Sequence, residues 1–201
     1  MSDISFHDSN FQIAMIAYSA IESRISPSPV SFNFFKCLKI LSMKCGIEED
    51  KTEHLCFCAA FHDMGMVIIP DSIICKDTVF TSKDKDALFD HTLNGRDMIL
   101  EVGGEFADSA AEIALTHHEN YDGTGYPYGI KENEIPYYSR IVSVADSFDA
   151  MCSDRFHRKA YLPKSALELM LSERGRKYDP EILDNLTLCF DKLTEIYLNG
   201  I

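Results

Sequence analysis

The stretch HHENYDGTGYP, residues 117–127, joins two adjacent histidines to a loop that is rich in glycine and closed by proline. Adjacent histidines are unfavourable in a plain hydrophobic core, because both imidazoles need polar partners when they are buried. Glycine allows backbone turns that other residues rarely adopt, and proline fixes the chain where such a loop closes. The stretch therefore predicts a polar site followed by a structured loop.

The composition fits one globular domain with a substantial core. The chain has 201 residues, of which 46% are hydrophobic, and its net charge is -13. A protein that binds DNA or RNA polymers without specificity needs a basic face to displace counterions, so this charge argues against that class. An anionic small substrate stays open, because bound metal ions and a few arginines can reverse the charge of one pocket.

The N-terminus and the cysteines predict a cytoplasmic protein that does not engage a membrane. The first ten residues, MSDISFHDSN, lack the layout of a signal peptide, and no apolar run approaches the length that spans a bilayer. The seven cysteines are odd in number and scattered along the chain. We expect reduced thiols that serve as small core residues.

The apolar residues follow a helical period along almost the whole chain, and no alternating strand pattern is present. The fold class predicted is therefore all-α. A proline-rich stretch at 26–30 divides an N-terminal helical extension, residues 1–29, from the main domain, residues 30–201. The face of the first helix is predicted to consist of Ile13, Ile16, Ala17 and Ala20.

Helix start and stop signals divide the main domain, because proline favours the first turn of a helix and glycine the position after the last. The predicted elements are a helix ending at Gly46, a helix over 48–61, a loop over 70–76, a helix capped by Ser82, a helix from Asp108 to His117, a loop over 119–136, a core helix through 141–148, and helices that begin at Pro163 and at Pro180 after its cap Asp179.

Histidines and acidic residues gather near the predicted helix ends and faces. Histidine with carboxylate is a mixed nitrogen and oxygen ligand set that suits iron, manganese, nickel or zinc. Each residue alone is weak evidence, since an isolated buried histidine is more often a hydrogen-bonded core residue. Their conjunction in a helical chain predicts a metal site built from inward-facing helices. The candidates are His62, Asp63, His91, His117, His118 and Asp146.

Four longer stretches carry a family resemblance: HDMGMVIIPDSIICK from residue 62, DHTLNGRDMIL from 90, HHENYDGTGYPYGIKENEIP from 117, and RIVSVADSFDAMCSDRF from 140. Together they resemble the HD-GYP family, bacterial phosphodiesterases that cleave cyclic di-GMP and belong to the HD group of metal-dependent phosphohydrolases. The resemblance runs from about Ser31 to Tyr178. It implies an HD-domain helical bundle with a metal site in its core and a long GYP loop.

The resemblance also implies a ligand set. Two divalent transition-metal ions are expected, iron or manganese, with nickel and zinc as alternatives. Asp63 would bridge the two ions and serve as the catalytic carboxylate. The first ion would be completed by His62 and Asp146, and the second by His91, His117 and His118.

The substrate side is implied in the same way. Arg155 and Arg158 would hold the substrate phosphate. The loop residues Gly125, Tyr126 and Pro127 would line the groove for the cyclic dinucleotide and contact a GGDEF-type synthase domain. From the residues alone, the two arginines equally suit a solvated surface pair, and Tyr126 an aromatic that covers the core. The oligomeric state, including a homodimer, stays open.

The sequence departs from the family pattern in two places. Met66 stands where the HDxGK motif has a lysine that assists at the substrate phosphate. The window VSFNFF, residues 30–35, contains neither the histidine nor the glutamate that supplies an early metal ligand.

Two functions therefore remain. The first is hydrolysis of cyclic di-GMP to pGpG or GMP by two-metal activation of a bridging water, at a reduced rate. The second is a non-catalytic HD-GYP module that binds metal and cyclic di-GMP, or a GGDEF partner, and relays a signal. The later histidines and the complete GYP loop favour metal binding under both, and we favour the enzyme.

Overall fold

The computed structural model describes residues 9–27, 31–76, 78–156 and 158–199. Within these ranges the chain is helical and contains no strand, which confirms the predicted all-α class. The helices are α1 (Ser9–Ile25), α2 (Asn33–Lys44), α3 (Glu49–Ala59), α4 (Asp71–Ile74), α5 (Ser82–Val102), α6 (Ala107–Thr116), α7 (Tyr137–Cys152), α8 (Pro163–Leu171), α9 (Pro180–Leu188) and α10 (Phe190–Asn199), with 3-10 helices at Met64–Ile68 and Glu132–Glu134.

Helices α2 and α7 form the centre of the hydrophobic core. Both carry apolar residues at the three- and four-residue spacings that bury one helical face. Around them pack α1, α3, α6, α8, α9 and α10. The core helix predicted through residues 141–148 is therefore present. Its fully buried apolar side chains are Ile141, Val142, Val144, Ala145 and Phe148.

Helix α1 turns a different face to the core from the one predicted. Ile13 and Ile16 are 62% and 70% exposed, whereas Phe11 and Tyr18 are buried. The tyrosine ring lies 4.7 Å from the Phe35 ring of α2. Apolar residues surround most of α1, so the periodicity alone could not select a face, and contacts between aromatic rings decide it. The domain boundary predicted between residues 29 and 30 stays a prediction.

Arg24, near the C-terminal end of α1, links this helix to the segment after Asp63. Its guanidinium donates hydrogen bonds of 2.6, 2.9 and 2.8 Å to the main-chain carbonyls of Met66, Val67 and Ile69. It also contacts the Asp71 carboxylate at 2.6 Å. The first 3-10 helix, Met64–Ile68, is thus fastened to α1 through its backbone.

Most predicted helix ends agree with the structure, with two local corrections. Gly46 follows α2 with a φ of +82°, in the left-handed region where glycine carries no steric cost. The cap of α5 is Thr81 and not Ser82, because the Thr81 hydroxyl accepts a hydrogen bond from Asp84 N and the Asp84 carboxylate accepts one from Thr81 N. The segment predicted as a loop over 70–76 contains the short helix α4.

The predicted start of the helix at Pro180 agrees with the structure. Pro180 begins α9, and Asp179 caps it by accepting a hydrogen bond from Glu181 N. The same carboxylate forms a buried ion pair of 2.6 Å with Arg140 of α7.

The seven cysteines are free thiols, of which four are buried and Cys75 is exposed.

None of the helices in the described part of the chain combines the length and the apolar character needed to cross a bilayer.

Candidate metal centre

Asp63 lies at the centre of a group of imidazoles, in the turn that follows α3. Its Oδ2 atom is 3.4 Å from His62 Nε2. Its Oδ1 atom is 3.3 Å from His91 Nε2 and 3.5 Å from His117 Nε2. The end of α3, the middle of α5 and the residue after α6 therefore converge on one carboxylate.

His118 completes a compact set of donors on one side of this carboxylate. One ligand atom each from Asp63, His91, His117 and His118 lies within 4.8 Å of all the others. Four of the six predicted ligands thus form a single cluster of mixed nitrogen and oxygen donors, which suits a transition-metal ion.

The other two predicted ligands, His62 and Asp146, lie outside this group of four and contact each other. His62 Nε2 is 3.7 Å from Oδ1 of Asp146, which α7 carries. His62 therefore contacts both carboxylates. All six predicted ligands share one centre, with Asp63 between its two halves.

Main-chain carbonyls orient three of the imidazoles. The Nδ1 atom is 2.7 Å from Ala59 O in His62, 2.5 Å from Leu88 O in His91 and 3.0 Å from Ala114 O in His117. A carbonyl only accepts hydrogen bonds, so Nδ1 carries a proton in each ring and Nε2 faces Asp63. In the neutral form of each ring, that Nε2 atom carries the lone pair.

Two of these lone pairs meet no hydrogen-bond donor among the described residues. The Nε2 atoms of His91 and His117 are buried there without a hydrogen-bond partner. A buried acceptor without a partner is costly unless a cation or a water fills the place. The fixed tautomers and the unpartnered nitrogens therefore fit a metal ion held by this cluster.

The charges around the centre favour the metal-binding form of Asp63, His117 and His118. Burial would lower the pKa of His62, but Asp63 and Asp146 raise it well above its usual value, so an ion there would have to displace a proton. Burial lowers the pKa of His117 and His118, and the neighbouring imidazoles lower the pKa of both further. Burial alone would raise the pKa of Asp63, but His62, His117 and His91 hold it well below its usual range. Neutral imidazole and ionised carboxylate are the protonation states that metal binding requires.

Gly65 allows the segment after Asp63 to approach α5 closely. A Cβ atom at Gly65 would lie 2.0 Å from His91 O and 2.7 Å from Gly95 N. Any side chain at this position would therefore separate the turn that carries Asp63 from the helix that carries His91. The glycine of the HDMGM sequence is explained by this contact.

The GYP loop packs against α5 and against the metal cluster. The Tyr126 ring stacks on His118 with centroids 4.8 Å apart, and on Phe89 of α5 with centroids 3.8 Å apart. Arg96 of α5 donates a hydrogen bond of 3.0 Å to the Tyr128 hydroxyl. The Tyr126–Pro127 peptide is cis. Tyr126 thus has a packing role beside one of the predicted ligands, and its contact with substrate stays a prediction.

Glu119 and Gly125 shape this loop from within. The buried Glu119 carboxylate accepts a hydrogen bond of 2.8 Å from Tyr128 N, which draws the loop back toward its own start. A Cβ atom at Gly125 would lie 2.2 Å from Asn120 N and 2.5 Å from His118 O. The sequence reasoning missed Glu119, although its position directly after the histidine pair is a signal of such a role.

The two candidate phosphate ligands differ in their surroundings. Arg155 Nη1 is 3.3 Å from a carboxylate oxygen of Glu22 in α1. Burial would lower the pKa of Arg155, but Glu22, Asp146 and other acids raise it, so the guanidinium keeps its charge beside the centre. No sequence pattern predicted that Glu22, in the predicted extension, lies next to Arg155.

Arg158 is committed to the backbone. Its guanidinium donates hydrogen bonds to the carbonyls of Ala150, Met151 and Lys159 at 2.6, 3.0 and 2.9 Å. It therefore caps carbonyls in the last turn of α7, where Met151 O also accepts a hydrogen bond of 2.9 Å from Tyr161 N, and it joins them to the carbonyl of Lys159. Binding of phosphate by Arg158 stays a prediction and would require an exchange of these bonds.

Two phenylalanines occupy the end of the window in which the family resemblance predicts an early metal ligand. Phe34 and Phe35 are buried in the core, and the Phe34 ring lies 5.3 Å from the His62 ring. Val30 lies outside the described residues. A glutamate at position 35 would enter the aromatic core between α1 and α2, so this position does not suit a replacement ligand.

A helical bundle with a histidine–aspartate pair at its centre defines the class of HD domains. The family model described as HD domain matches residues 16–182 of the chain. The chain belongs to the HD-GYP family within this class.

Curated relatives and solved structures agree with this membership. A cyclic di-GMP phosphodiesterase of Thermotoga maritima is 36% identical over 157 residues, which cover 78% of this chain and 43% of the relative. The cyclic di-GMP phosphodiesterase response regulator RpfG of Xanthomonas campestris is 36% identical over 147 residues, covering 73% of this chain and 39% of the relative. The chain thus spans less than half the length of either relative.

The fold is also found in a crystal structure of a cyclic GMP-AMP-specific phosphodiesterase from Vibrio cholerae. The TM-score is 0.68 at 17% sequence identity, with 92% of this chain and 50% of that chain covered. At this level of identity the comparison supports the fold alone.

Proposed function

We propose that the protein is a metal-dependent phosphodiesterase that hydrolyses cyclic di-GMP to pGpG or GMP. The observation that carries the proposal is the pair of buried, unpartnered Nε2 atoms of His91 and His117 that face Asp63. The two relatives named above are cyclic di-GMP phosphodiesterases, which supports this substrate class. The cytoplasmic location predicted from the sequence is part of the proposal.

Two groups of residues would hold two ions that share Asp63. One group is His62, Asp63 and Asp146, and the other is Asp63, His91, His117 and His118. Iron or manganese suits this mixture of imidazole and carboxylate, with nickel and zinc as alternatives. Bound there, the ions would supply Lewis acidity at the phosphate and a water of lowered pKa.

The protein's own residues prepare the site for a phosphodiester. The carbonyls of Ala59, Leu88 and Ala114 fix the imidazoles before substrate arrives, so little reorganisation is needed. Arg155 would contact a nonbridging phosphate oxygen through a charge-assisted hydrogen bond. Its low exposure strengthens such a bond, because few waters compete.

A second function rests on a specific observation. Met66 provides neither charge nor donor, and Phe34 packs beside His62 within the window where the family has an early ligand. The first departure removes a cation expected at the substrate phosphate, and the second removes a ligand from the half of the centre built on His62 and Asp146. A module that binds metal and cyclic di-GMP without turnover, and contacts a GGDEF-type partner through the GYP loop, would tolerate them. The exposed Tyr128 is the loop residue best placed for such a contact.

One experiment separates the two functions. The protein is reconstituted with iron or manganese and incubated with cyclic di-GMP, and the products are separated by chromatography. An enzyme releases pGpG or GMP, and Asp63→Asn abolishes the release. A non-catalytic module binds the dinucleotide but returns it intact. Absence of both binding and hydrolysis in the metal-loaded protein would reject both functions.

A further inference from the structure

Three aromatic rings form a stack that leads from the metal cluster to the protein surface. The rings of His118 and Tyr126 have centroids 4.8 Å apart and planes inclined by 30°. The rings of Tyr126 and Phe89 have centroids 3.8 Å apart and planes inclined by 15°. Phe89, the outer ring, is 40% exposed, whereas the other two are partly buried. The stack therefore ends in an aromatic ring that solvent reaches.

The core does not explain the presence of Phe89. The buried positions of α5 are His91, Thr92 and Gly95, and Phe89 lies outside this face. An exposed phenylalanine forgoes much of the free energy that burial of an aromatic ring supplies. Single exposed apolar residues are common on protein surfaces. Phe89 differs from them because its ring is stacked nearly parallel on Tyr126, which in turn packs on the predicted metal ligand His118.

We propose that the outer face of Phe89 is a stacking platform for a purine base of the bound cyclic dinucleotide. This proposal rests on the proposed function, since it places a phosphodiester at the histidine cluster. The base of the same nucleotide then lies within reach of a ring that is two positions along the stack from His118. Tyr126 fixes the plane of the Phe89 ring in advance, which reduces the entropy lost on binding.

The chemistry of stacking defines the selectivity of this platform. Aromatic side chains stack with the flat face of a base and do not read its hydrogen-bonding edge. Guanine and adenine therefore bind equally well at this position. Discrimination between cyclic di-GMP and other purine dinucleotides must come from other residues, and Phe89 contributes affinity for any purine.

The test compares two replacements of Phe89 with a matched control on the same helix. Phe89→Leu keeps an apolar side chain over Tyr126 but removes the aromatic face, and Phe89→Trp keeps an aromatic face. Leu100→Ala is the control, because Leu100 is 45% exposed on α5 and lies about 16 Å further along the helix axis. The probes are phosphorothioate analogues of cyclic di-GMP and cyclic di-AMP, which resist hydrolysis, and inorganic phosphate, which has no base. Binding to metal-loaded protein is measured by calorimetry.

We expect Phe89→Leu to weaken the binding of both dinucleotide analogues about tenfold, and Phe89→Trp and Leu100→Ala to leave it within about twofold of wild type. Metal content and phosphate affinity should stay unchanged in all variants. Wild-type affinity in Phe89→Leu would overturn the platform. The platform would also be overturned if Phe89→Leu lost metal, or lost phosphate affinity to the same extent as dinucleotide affinity. Either result would show that Phe89 only supports Tyr126 and His118. If the wild type binds neither analogue, the proposed function fails and the platform fails with it.

Discussion

The carboxylate of Glu22 lies 3.3 Å from the guanidinium of Arg155, and the two side chains are each 12% exposed. This ion pair joins α1 to the segment that follows α7. Of the two candidate phosphate ligands, the guanidinium of Arg158 is hydrogen-bonded to main-chain carbonyls, whereas that of Arg155 is paired with Glu22. A substrate phosphate would therefore compete with Glu22 for Arg155.

Replacement of Glu22 by glutamine should increase the affinity for cyclic di-GMP. The amide keeps the size of the side chain but removes a negative charge that repels the phosphate and holds Arg155. We expect the dissociation constant to fall about threefold to tenfold at low salt, with a smaller effect at high salt because screening weakens the charge interaction. Calorimetry at matched metal content provides the measurement. A weaker affinity would show that Glu22 positions Arg155 for the substrate.

The two arginines should give different phenotypes when replaced by alanine. Arg155→Ala removes a charged hydrogen bond to phosphate, so we expect affinity for cyclic di-GMP to fall about tenfold to a hundredfold. Arg158→Ala leaves three carbonyls near the end of α7 without this donor, and should lower the free energy of unfolding by about 1–3 kcal/mol. Calorimetry and denaturant unfolding distinguish these effects. A stable Arg158→Ala protein that has lost affinity would place both arginines at the phosphate.

Metal content should depend on the histidines that face Asp63. Replacement of His91 or His117 by alanine should remove most of the metal that the reconstituted wild type retains. His54→Gln is the control, since His54 packs against the Phe106 ring and is not a member of the cluster. Elemental analysis after removal of unbound ions gives the result. Equal metal in all four proteins would mean that the ions bind elsewhere.

A lysine at position 66 should raise turnover. It places a positive charge where the family resemblance predicts a lysine beside the phosphate, and such a charge stabilises the negative charge that develops in the transition state. We expect Met66→Lys to increase kcat for cyclic di-GMP at least about tenfold. Val67→Lys is a matched control, because Val67 is 48% exposed and a lysine there adds the same charge one residue away. An equal rise in both variants would attribute the effect to net charge alone.

The burial of Asp149 should make the free energy of unfolding of the protein depend on pH, whether or not substrate is present. Burial raises the pKa of this α7 carboxyl to about 7, although the Tyr197 hydroxyl donates a hydrogen bond of 2.7 Å to it. The folded protein thus retains a proton that the unfolded chain has already released above pH about 4. The contribution of Asp149 to the free energy of unfolding therefore falls as pH rises from about 4 to about 7, and is constant above that range.

Asp149→Asn removes this titration while it keeps an acceptor for Tyr197. Its free energy of unfolding should exceed that of the wild type by a margin that grows across the interval, up to about 4 kcal/mol. Tyr197→Phe removes the hydrogen bond that favours the ionised carboxyl, so the interval should extend to higher pH. Denaturant unfolding at a series of pH values provides the measurement. A constant difference between Asp149→Asn and wild type would contradict the raised pKa.

The sequence predicted the elements of this fold better than the contacts between them. Gly46 and Pro180 marked helix ends because their backbone preferences are local. The prediction of the buried face of α1 was wrong, because apolar residues surround that helix and only its contacts with α2 determine which side is buried. The six candidate ligands were named from motif order, and they converge in the structure, although their roles as ligands stay predictions.

The residues that sequence reasoning missed act over long distances in the chain. Glu22 pairs with Arg155, and Arg24 contacts the carbonyl of Met66. Neither contact is predicted by the periodicity or the composition of the sequence. Charged residues near a helix end usually indicate a solvated surface, so nothing marks these two as buried contacts. Arg158 is ambiguous from sequence for a related reason: a basic residue after a helix fits both a substrate contact and a cap on that helix, and its contact with phosphate stays a prediction.

The link between Arg24 and residues 66, 67 and 69 consists of hydrogen bonds to carbonyl oxygens, which every amino acid provides. Mutational drift at these three positions can therefore change the chemistry beside the metal centre without detaching α1. Methionine at position 66 provides no side-chain charge, but its carbonyl accepts the Arg24 hydrogen bond as that of any other residue would. The same tolerance makes position 66 suitable for saturation mutagenesis, because variants there can be compared in one architecture.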